Sequence, residues 1–305
     1  MRIIFMGTPD FAVSILKILH DNKKNVVAVV SQPDKPKNRG KKLLPTPVKQ
    51  KALEYGYKIL QSDKIIDMYE QLEELEPDII IVAAYGQILP AKMLKLPKYG
   101  CINAHASLLP KYRGAAPIQY ALMNGEKITG VTVMQMDNEM DTGDMLYKEK
   151  VKIEPEDDLS SLTLKLSEAG QKAIISVINM LESGQKIIPE KQDNTQATYT
   201  HLIKKEMCRI NWNKTAEEIR NLIRAVPAYT FYNEENIKLF TPSITNIDTN
   251  LCNPGEITEV DKEGFYVSTL DTALYFKEIQ FPGKKRMLIR EFLKGNTLKK
   301  GTILK

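Results

Sequence analysis

The 305-residue sequence predicts an α/β protein in two parts, a Rossmann-like domain with an open, mostly parallel sheet and a smaller β-barrel. Three observations support this fold class. Continuous apolar runs alternate with amphipathic segments in the first half, which is typical of buried parallel strands joined by helices. A polar stretch over residues 187–200 then interrupts the pattern. Short strands separated by turn signals follow it, as in small barrels.

The first part contains both kinds of element in alternation. Apolar runs predict strands over residues 3–6, 26–30, 79–84, 101–105 and 129–136. Helical spacing of apolar side chains predicts helices over residues 11–19, 48–55, 67–75 and 159–181. This order predicts an open sheet with right-handed crossovers, whose ligands bind at the carboxyl ends of the strands.

The second part has a different pattern of elements, with short strands in place of alternating strands and helices. A helix is predicted over residues 215–224, and strands over 237–240, 255–260, 264–269 and 273–279. The predicted domains are therefore 1–188 and 205–305, with a linker over 189–204.

Composition narrows the class of protein. The net charge of +5 permits a polyanionic partner without requiring one. Cys101, Cys208 and Cys252 are far apart and form no metal-spacing motif, so we expect reduced thiols and no metal. Because no apolar run is long enough for a membrane span or a secretory leader, we expect a cytoplasmic protein.

The strand over residues 101–105 contains the strongest candidates for chemistry. Asn103 and His105 are two residues apart, so in an extended chain they point to the same side. Asp137, Asp141 and Asp144 are candidate carboxylate partners in the acidic segment after another strand, and the sharp turn at Asp141-Thr142-Gly143 would let Asp141 project into a cleft. Histidine exchanges protons near neutral pH, a carboxylate orients it, and an amide stabilises an oxyanion. Because no nucleophile elbow surrounds Ser107, the set suits acyl transfer in which the substrate supplies the nucleophile.

A basic, proline-rich segment over residues 32–50 is a second candidate region. It contains Arg39, Lys41 and Lys42 among other cations, and its prolines keep it out of a helix. A solvated surface and a nucleic-acid contact both remain open interpretations of such a segment.

Several segments resemble one known family. Asn103-Ala104-His105, SLLPKYRGAAPIQ over residues 107–119 and MDNEMDTGDML over residues 136–146 are similar to the formyltransferases that use 10-formyltetrahydrofolate. MGTPDFAV at the N-terminus, QPDKPKNRGKKLLPTPVK after the second strand, and a separate C-terminal domain resemble the members of that family that act on methionyl-tRNA.

The resemblance implies transfer of a formyl group from 10-formyltetrahydrofolate to the α-amine of methionine on initiator methionyl-tRNA. Asn103, His105 and Asp141 match the family's catalytic residues. The first two would stabilise the oxyanion of the tetrahedral adduct, and His105 with Asp141, through a water, would take the proton from the attacking nitrogen. The resemblance also implies a monomer, and an OB-like barrel that holds the tRNA backbone.

The same resemblance assigns binding residues. The folate-binding candidates are Ser107, Leu108, Leu109, Pro110, Tyr85, Gly86, Gln87, Ile88, Leu89 and Asp137. The candidates for the tRNA acceptor stem are Arg39, Lys41 and Lys42. Two alternatives remain: the same chemistry on a small amine, such as an amino-sugar nucleotide, and an RNA-binding protein without catalytic activity.

Overall fold

The computed structural model describes residues 1–37, 42–249 and 251–305. The chain divides into two compact units. The first unit comprises Met1–Pro117, Ile128–Ile153 and Ser160–Thr200. The second unit comprises Ile118–Lys127, Glu154–Leu159 and His201–Lys305.

Short strands and six helices precede residue 201 in the described part of the chain. The strands are β1 (Ile3–Gly7), β2 (Val26–Ser31), β3 (Lys35–Lys37), β4 (Lys42–Leu44), β5 (Ile59–Gln61), β6 (Ile79–Ala83), β7 (Cys101–His105), β8 (Arg113–Gly114), β9 (Ile128–Gln135), β10 (Met145–Lys152) and β11 (Tyr199–Thr200). The helices are α1 (Asp10–Asp21), α2 (Pro47–Glu54), α3 (Tyr69–Glu73), α4 (Ala91–Leu94), α5 (Pro117–Met123) and α6 (Leu159–Glu182). Short 3-10 turns cover Ile65–Met68 and Asn194–Gln196.

A central sheet organises the first unit. Among the described residues it has seven strands in the order β10-β9-β7-β6-β1-β2-β5. In the run β7-β6-β1-β2-β5 each strand is parallel to its neighbours, whereas β9 pairs antiparallel with both β7 and β10. Every residue of β1 and β6 is buried, as expected of parallel strands covered on both faces. The predicted fold class is confirmed.

Several elements before residue 201 differ from the sequence prediction: strands β3, β4, β5, β8, β10 and β11 and helices α4 and α5 were not predicted, and α3 is shorter than predicted. The helix predicted over residues 67–75 is a 3-10 turn over Ile65–Met68 followed by the short helix α3. Strand β10 was not predicted, because its sequence MLYKEKVK is rich in charged residues. It is an edge strand of the sheet, and edge strands commonly carry charged side chains because one of their two edges pairs with no further strand.

The second unit is built from antiparallel sheets. Its elements are a 3-10 turn (Lys205–Cys208), α7 (Ala216–Ala225), β12 (Tyr229–Tyr232), β13 (Glu235–Phe240), β14 (Ser243–Ile244), β15 (Ile257–Val260), β16 (Phe265–Ser268), β17 (Ala273–Phe276), β18 (Glu278–Gln280), β19 (Met287–Leu288) and α8 (Ile289–Phe292). The described strands form two four-stranded sheets, β12-β13-β18-β19 and β14-β17-β16-β15. Helix α7 begins at a capping box in which Thr215 and Glu218 satisfy each other's backbone N–H groups.

The segment between the two predicted domains is ordered against the first unit. Residues 189–200, which the sequence assigns to a linker, belong to that unit, because β11 pairs in parallel with β8. The boundaries 1–188, 189–204 and 205–305 otherwise stay a prediction. Within the described ranges, no helix combines the length and the apolar character that crossing a bilayer requires.

Candidate active site

His105 and Asp141 come together at the carboxyl end of β7. The Nδ1 atom of His105 lies 3.5 Å from Oδ2 of Asp141, and the two side chains are 7% and 15% exposed. The other ring nitrogen, Nε2, lies 2.8 Å from the carbonyl oxygen of Tyr112. Because a carbonyl oxygen only accepts, Nε2 is the nitrogen that donates. The neutral ring therefore has its lone pair on Nδ1, on the side that faces the carboxylate.

Asn103 lies two residues before His105 on the same strand. In the pairing of β7 with β9, Asn103 is opposite Met134 and His105 is opposite Thr132. Both side chains thus project from the same face of the sheet. Asn103 remains partly exposed there, so its amide is accessible to a bound molecule.

Residues 112–114 contact both members of the His105–Asp141 pair. The carbonyl of Tyr112 accepts from His105, and the N–H of Gly114 donates to Oδ2 of Asp141 over 2.8 Å. Gly114 has a positive φ of 98°, which glycine adopts without steric cost. One short stretch of backbone therefore fixes the imidazole and the carboxylate relative to each other.

The turn that presents Asp141 is tightly constrained. Asp141 itself has a left-handed φ of 56°. A Cβ atom on Gly143 would collide with the carbonyl oxygen of Gln135, so only glycine fits there. Asp137, a folate-binding candidate, is exposed and accepts from the hydroxyl of Thr142 over 2.8 Å.

The segment from Ser107 to Pro110 follows His105 directly. Ser107 is fully buried, and its hydroxyl donates to the carbonyl of Lys111 over 2.7 Å, which is a structural role. Leu109 is buried and contributes to a small apolar cluster, whereas Leu108 and Pro110 are partly exposed. The Leu109–Pro110 peptide bond is cis.

The turn over residues 85–89 follows β6, the neighbour of β7. Tyr85 and Leu89 lie in the apolar core, and burial raises the pKa of the Tyr85 phenol to about 12. The side chain of Gln87 accepts from the N–H of Ile65 and donates to the carbonyl of Ser62. Gly86 and Ile88 are exposed. Of these five residues, the two exposed ones present surface at the carboxyl edge of the sheet.

A buried polar atom near this turn has no partner. The side-chain amide nitrogen of Gln32 (Nε2), the residue after β2, is buried and forms no hydrogen bond within the described chain. It lies 3.9 Å from the position that a Cβ atom on Gly86 would occupy. Such an unsatisfied donor is unusual in a folded protein, and a bound ligand is one way to satisfy it.

A network that was not predicted from the sequence supports the Asp141 turn. Arg113 is 1% exposed, and its guanidinium donates to Oε1 of Gln192 through Nε at 3.0 Å and Nη2 at 2.8 Å. The amide nitrogen of Gln192 donates in turn to the carbonyls of Asp141 and Gly143, both over 2.8 Å. Arg113 also donates to Asn194 and to the phenol of Tyr199. The sequence did not predict this contact, because Gln192 and Asn194 lie in a polar segment that was interpreted as a linker.

The basic candidates lie mostly beyond the described residues. Arg39 and Lys41 fall outside them, and Lys42 begins the short strand β4. At the base of this segment, Lys49 forms an ion pair with Asp34 over 2.6 Å. Hydrogen bonds from Gln61 and Lys49 hold the pKa of the Asp34 carboxyl below its usual value. This ion pair joins the two ends of the basic segment.

Comparison with known proteins identifies the family. A family model described as formyl transferase matches residues 1–178, and one described as formyl transferase, C-terminal domain, matches residues 202–297. The chain belongs to the formyl transferase family. The family resemblance predicted from the sequence is confirmed, as is the enzyme class.

Individual members of the family extend this result. The chain is 47% identical over 310 residues to a methionyl-tRNA formyltransferase of Alkaliphilus metalliredigens, with 100% of this chain and 98% of the relative covered. It is 44% identical over 310 residues to that of Bacillus subtilis, with 99% and 97% covered. The solved structure of WlaRD, a sugar 3N-formyl transferase in the presence of dTDP and 5-N-formyl-THF, has a TM-score of 0.67 at 22% identity. That match covers 93% of this chain and 99% of WlaRD, and it concerns the fold alone.

Proposed function

We propose that this protein transfers the formyl group of 10-formyltetrahydrofolate to the α-amine of methionine on initiator methionyl-tRNA, which gives N-formylmethionyl-tRNA for translation initiation. The observation that carries the proposal is the placement of Nδ1 of His105 beside Asp141 at a strand end, in a chain similar over its whole length to relatives of that name.

The ring of His105 serves as the proton acceptor through Nδ1. Its Nε2–H is committed to the carbonyl of Tyr112, so the basic nitrogen faces Asp141. A distance of 3.5 Å is long for a direct hydrogen bond, and one water or the substrate nitrogen can mediate the contact. The methionine amine attacks in its neutral form. When Nδ1 takes a proton from that nitrogen as the new bond to the formyl carbon forms, the carboxylate stabilises the imidazolium that results.

Asn103 stabilises the negative charge on the formyl oxygen. Attack by the amine nitrogen on the formyl carbon gives a tetrahedral adduct, whose oxygen needs a donor that is already in position. The partly exposed amide of Asn103 is on the same face as His105 and supplies that donor. The adduct then collapses to the formamide, the bond to N10 of the folate breaks, and N10 takes up the proton that the imidazolium of His105 returns.

The folate co-substrate binds along the carboxyl edge of the sheet. The residues available there are the exposed Gly86 and Ile88, the partly exposed Leu108 and Pro110 of the Ser107–Pro110 segment, and Asp137. The unsatisfied amide nitrogen of Gln32 fits a ligand with polar ring atoms at this edge. The chemistry uses no metal in this proposal.

The basic residues serve the tRNA. Arg39, Lys41 and Lys42 contact the phosphates of the acceptor stem, and the second unit adds further cations for the backbone. We place the reaction in the cytoplasm, where translation begins, and propose that the enzyme works as a monomer.

The alternative substrate is a small amine, such as an amino-sugar nucleotide. The likeness to WlaRD concerns the fold, whereas the identity to tRNA-acting relatives extends over the full chain. The test is to supply purified protein and 10-formyltetrahydrofolate with methionyl-tRNA or with a dTDP-amino sugar in separate reactions. We expect N-formylmethionine after deacylation of the tRNA. Formylation of the sugar alone would refute the proposal.

A further inference from the structure

We propose that Gln192, held by the buried guanidinium of Arg113, is a positioning residue for formyl transfer and acts by fixing the Asp141 turn. This inference rests on the proposed function, because it assigns a role relative to Asp141. Within the described residues, the side-chain hydrogen bonds of Arg113 and Gln192 go to groups other than the side chains of Asn103 and His105. Arg113 and Gln192 act at the backbone of the turn that presents the carboxylate.

The orientation of the Gln192 amide is unambiguous. Its oxygen receives two N–H groups of Arg113, so its nitrogen must be the atom that faces the carbonyls of Asp141 and Gly143. One amide thus holds two carbonyls of a turn whose first residue has a left-handed φ of 56°. A turn of this kind persists only where its surroundings enforce it.

The burial of Arg113 indicates that its contact with Gln192 has a functional role. Within the described residues, the hydrogen-bond partners of its guanidinium are neutral: Gln192, Asn194 and Tyr199. Burying a charged group without a counter-ion is costly, even when it is hydrogen-bonded. A planar guanidinium is the side chain that orients a planar amide through two hydrogen bonds at once.

The two ends of the network meet at the same carboxylate. The N–H of Gly114 donates to Oδ2 of Asp141, while the side chain of the adjacent Arg113 holds the backbone of Asp141 through Gln192. The dipeptide Arg113-Gly114 therefore holds Asp141 twice, through the N–H of Gly114 at the carboxylate and through Arg113 and Gln192 at the backbone. Loosening one side allows the carboxylate to move away from Nδ1 of His105, and small misplacements of catalytic groups reduce rates by large factors.

The test uses two substitutions of Gln192 in the full-length protein. Gln192→Ala removes the donor and the acceptor, whereas Gln192→Glu keeps an acceptor for Arg113 and loses both donors. Both are expected to lower kcat on the order of 10- to 100-fold, with KM for both substrates within about twofold of wild type. The control is Gln196→Ala, an exposed glutamine of the same segment that contacts Asp193, and its kcat should be unchanged.

A double variant separates positioning from general stability. In the Asp141→Asn background, Gln192→Ala should reduce kcat by less than about threefold further, because both changes act on one group. Full multiplication of the two losses, recovery of activity by Gln192→Glu, or wild-type kcat in Gln192→Ala would each overturn the inference. If Asp141→Asn is impaired and Gln192→Ala is not, only the positioning role fails. If Asp141→Asn itself is fully active, the role proposed for Asp141 fails as well.

Discussion

Removing the negative charge of Asp141 tests the proposed mechanism most directly. Asp141→Asn keeps an oxygen that can accept from the N–H of Gly114, so the turn should retain its shape. The carboxylate lies 3.5 Å from Nδ1 of His105. At that distance it stabilises an imidazolium by about 4.7 kcal/mol at an effective dielectric constant of about 20, and by about 2.4 kcal/mol at about 40. Dividing by about 1.36 kcal/mol per tenfold, kcat should fall between about 60-fold and about 3000-fold.

Single-turnover formylation of methionyl-tRNA at saturating folate measures this loss. Because His105 and Asp141 are only 7% and 15% exposed, we expect a value nearer the upper end of the range. The matched control is Asp144→Asn, which neutralises another carboxylate of the same segment and should leave kcat unchanged. A value of kcat for Asp141→Asn within about threefold of wild type, with an unchanged melting temperature, would refute the charge-stabilisation argument.

Three further substitutions test other parts of the molecule. Asn103→Ala should lower kcat on the order of 10²-fold in steady-state assays, because a preorganised oxyanion donor is lost, while folate affinity measured by titration is retained. Arg39→Ala should raise KM for methionyl-tRNA and reduce the slope of log affinity against log salt concentration by about 0.7 to 0.9, since one phosphate contact is lost. Glu218→Ala should lower the melting temperature. The hydrogen bond from Lys214 and the capping hydrogen bonds from Thr215 hold the pKa of Glu218 at about 2. The stabilisation by its carboxylate is therefore complete above the ordinary value of 4.5 and is lost as the pH falls towards about 2.

Each of these has an outcome that contradicts it. Near-wild-type turnover in Asn103→Ala would exclude the oxyanion role. A higher KM for folate in Arg39→Ala, with an unchanged KM for tRNA, would assign the basic segment to the other substrate. For Glu218→Ala, thermal melts followed by circular dichroism should show the gap to wild type narrowing at acid pH, and a constant gap would rule out the capping explanation.

Local patterns predicted the elements that are stabilised locally. Strand β7 has the predicted bounds, and helix α6 extends one residue beyond the predicted end, because a buried strand and a long amphipathic helix have distinct apolar periods. The face shared by Asn103 and His105 followed from the same alternation. The approach of His105 to Asp141 was assigned through the resemblance, because no sequence pattern specifies how two distant turns meet.

The supporting network could not be predicted for a related reason. Arg113 and Gln192 are 79 residues apart, and their contact depends on the pairing of the two-residue strands β8 and β11. Strands this short have no detectable period. A polar segment with a proline is more often a connection than part of a site, so composition favoured the linker interpretation.

The assignment of residues 189–200 to the first unit matters for exchanging domains between relatives. The two family models leave residues 179–201 unmatched, which makes that stretch look like a convenient junction for grafting a foreign C-terminal domain. A chimaera joined at residue 188 would replace Gln192, Asn194 and Tyr199 and leave the buried guanidinium of Arg113 without these hydrogen-bond partners. The junction that keeps the catalytic half intact comes after Thr200, where β11 ends.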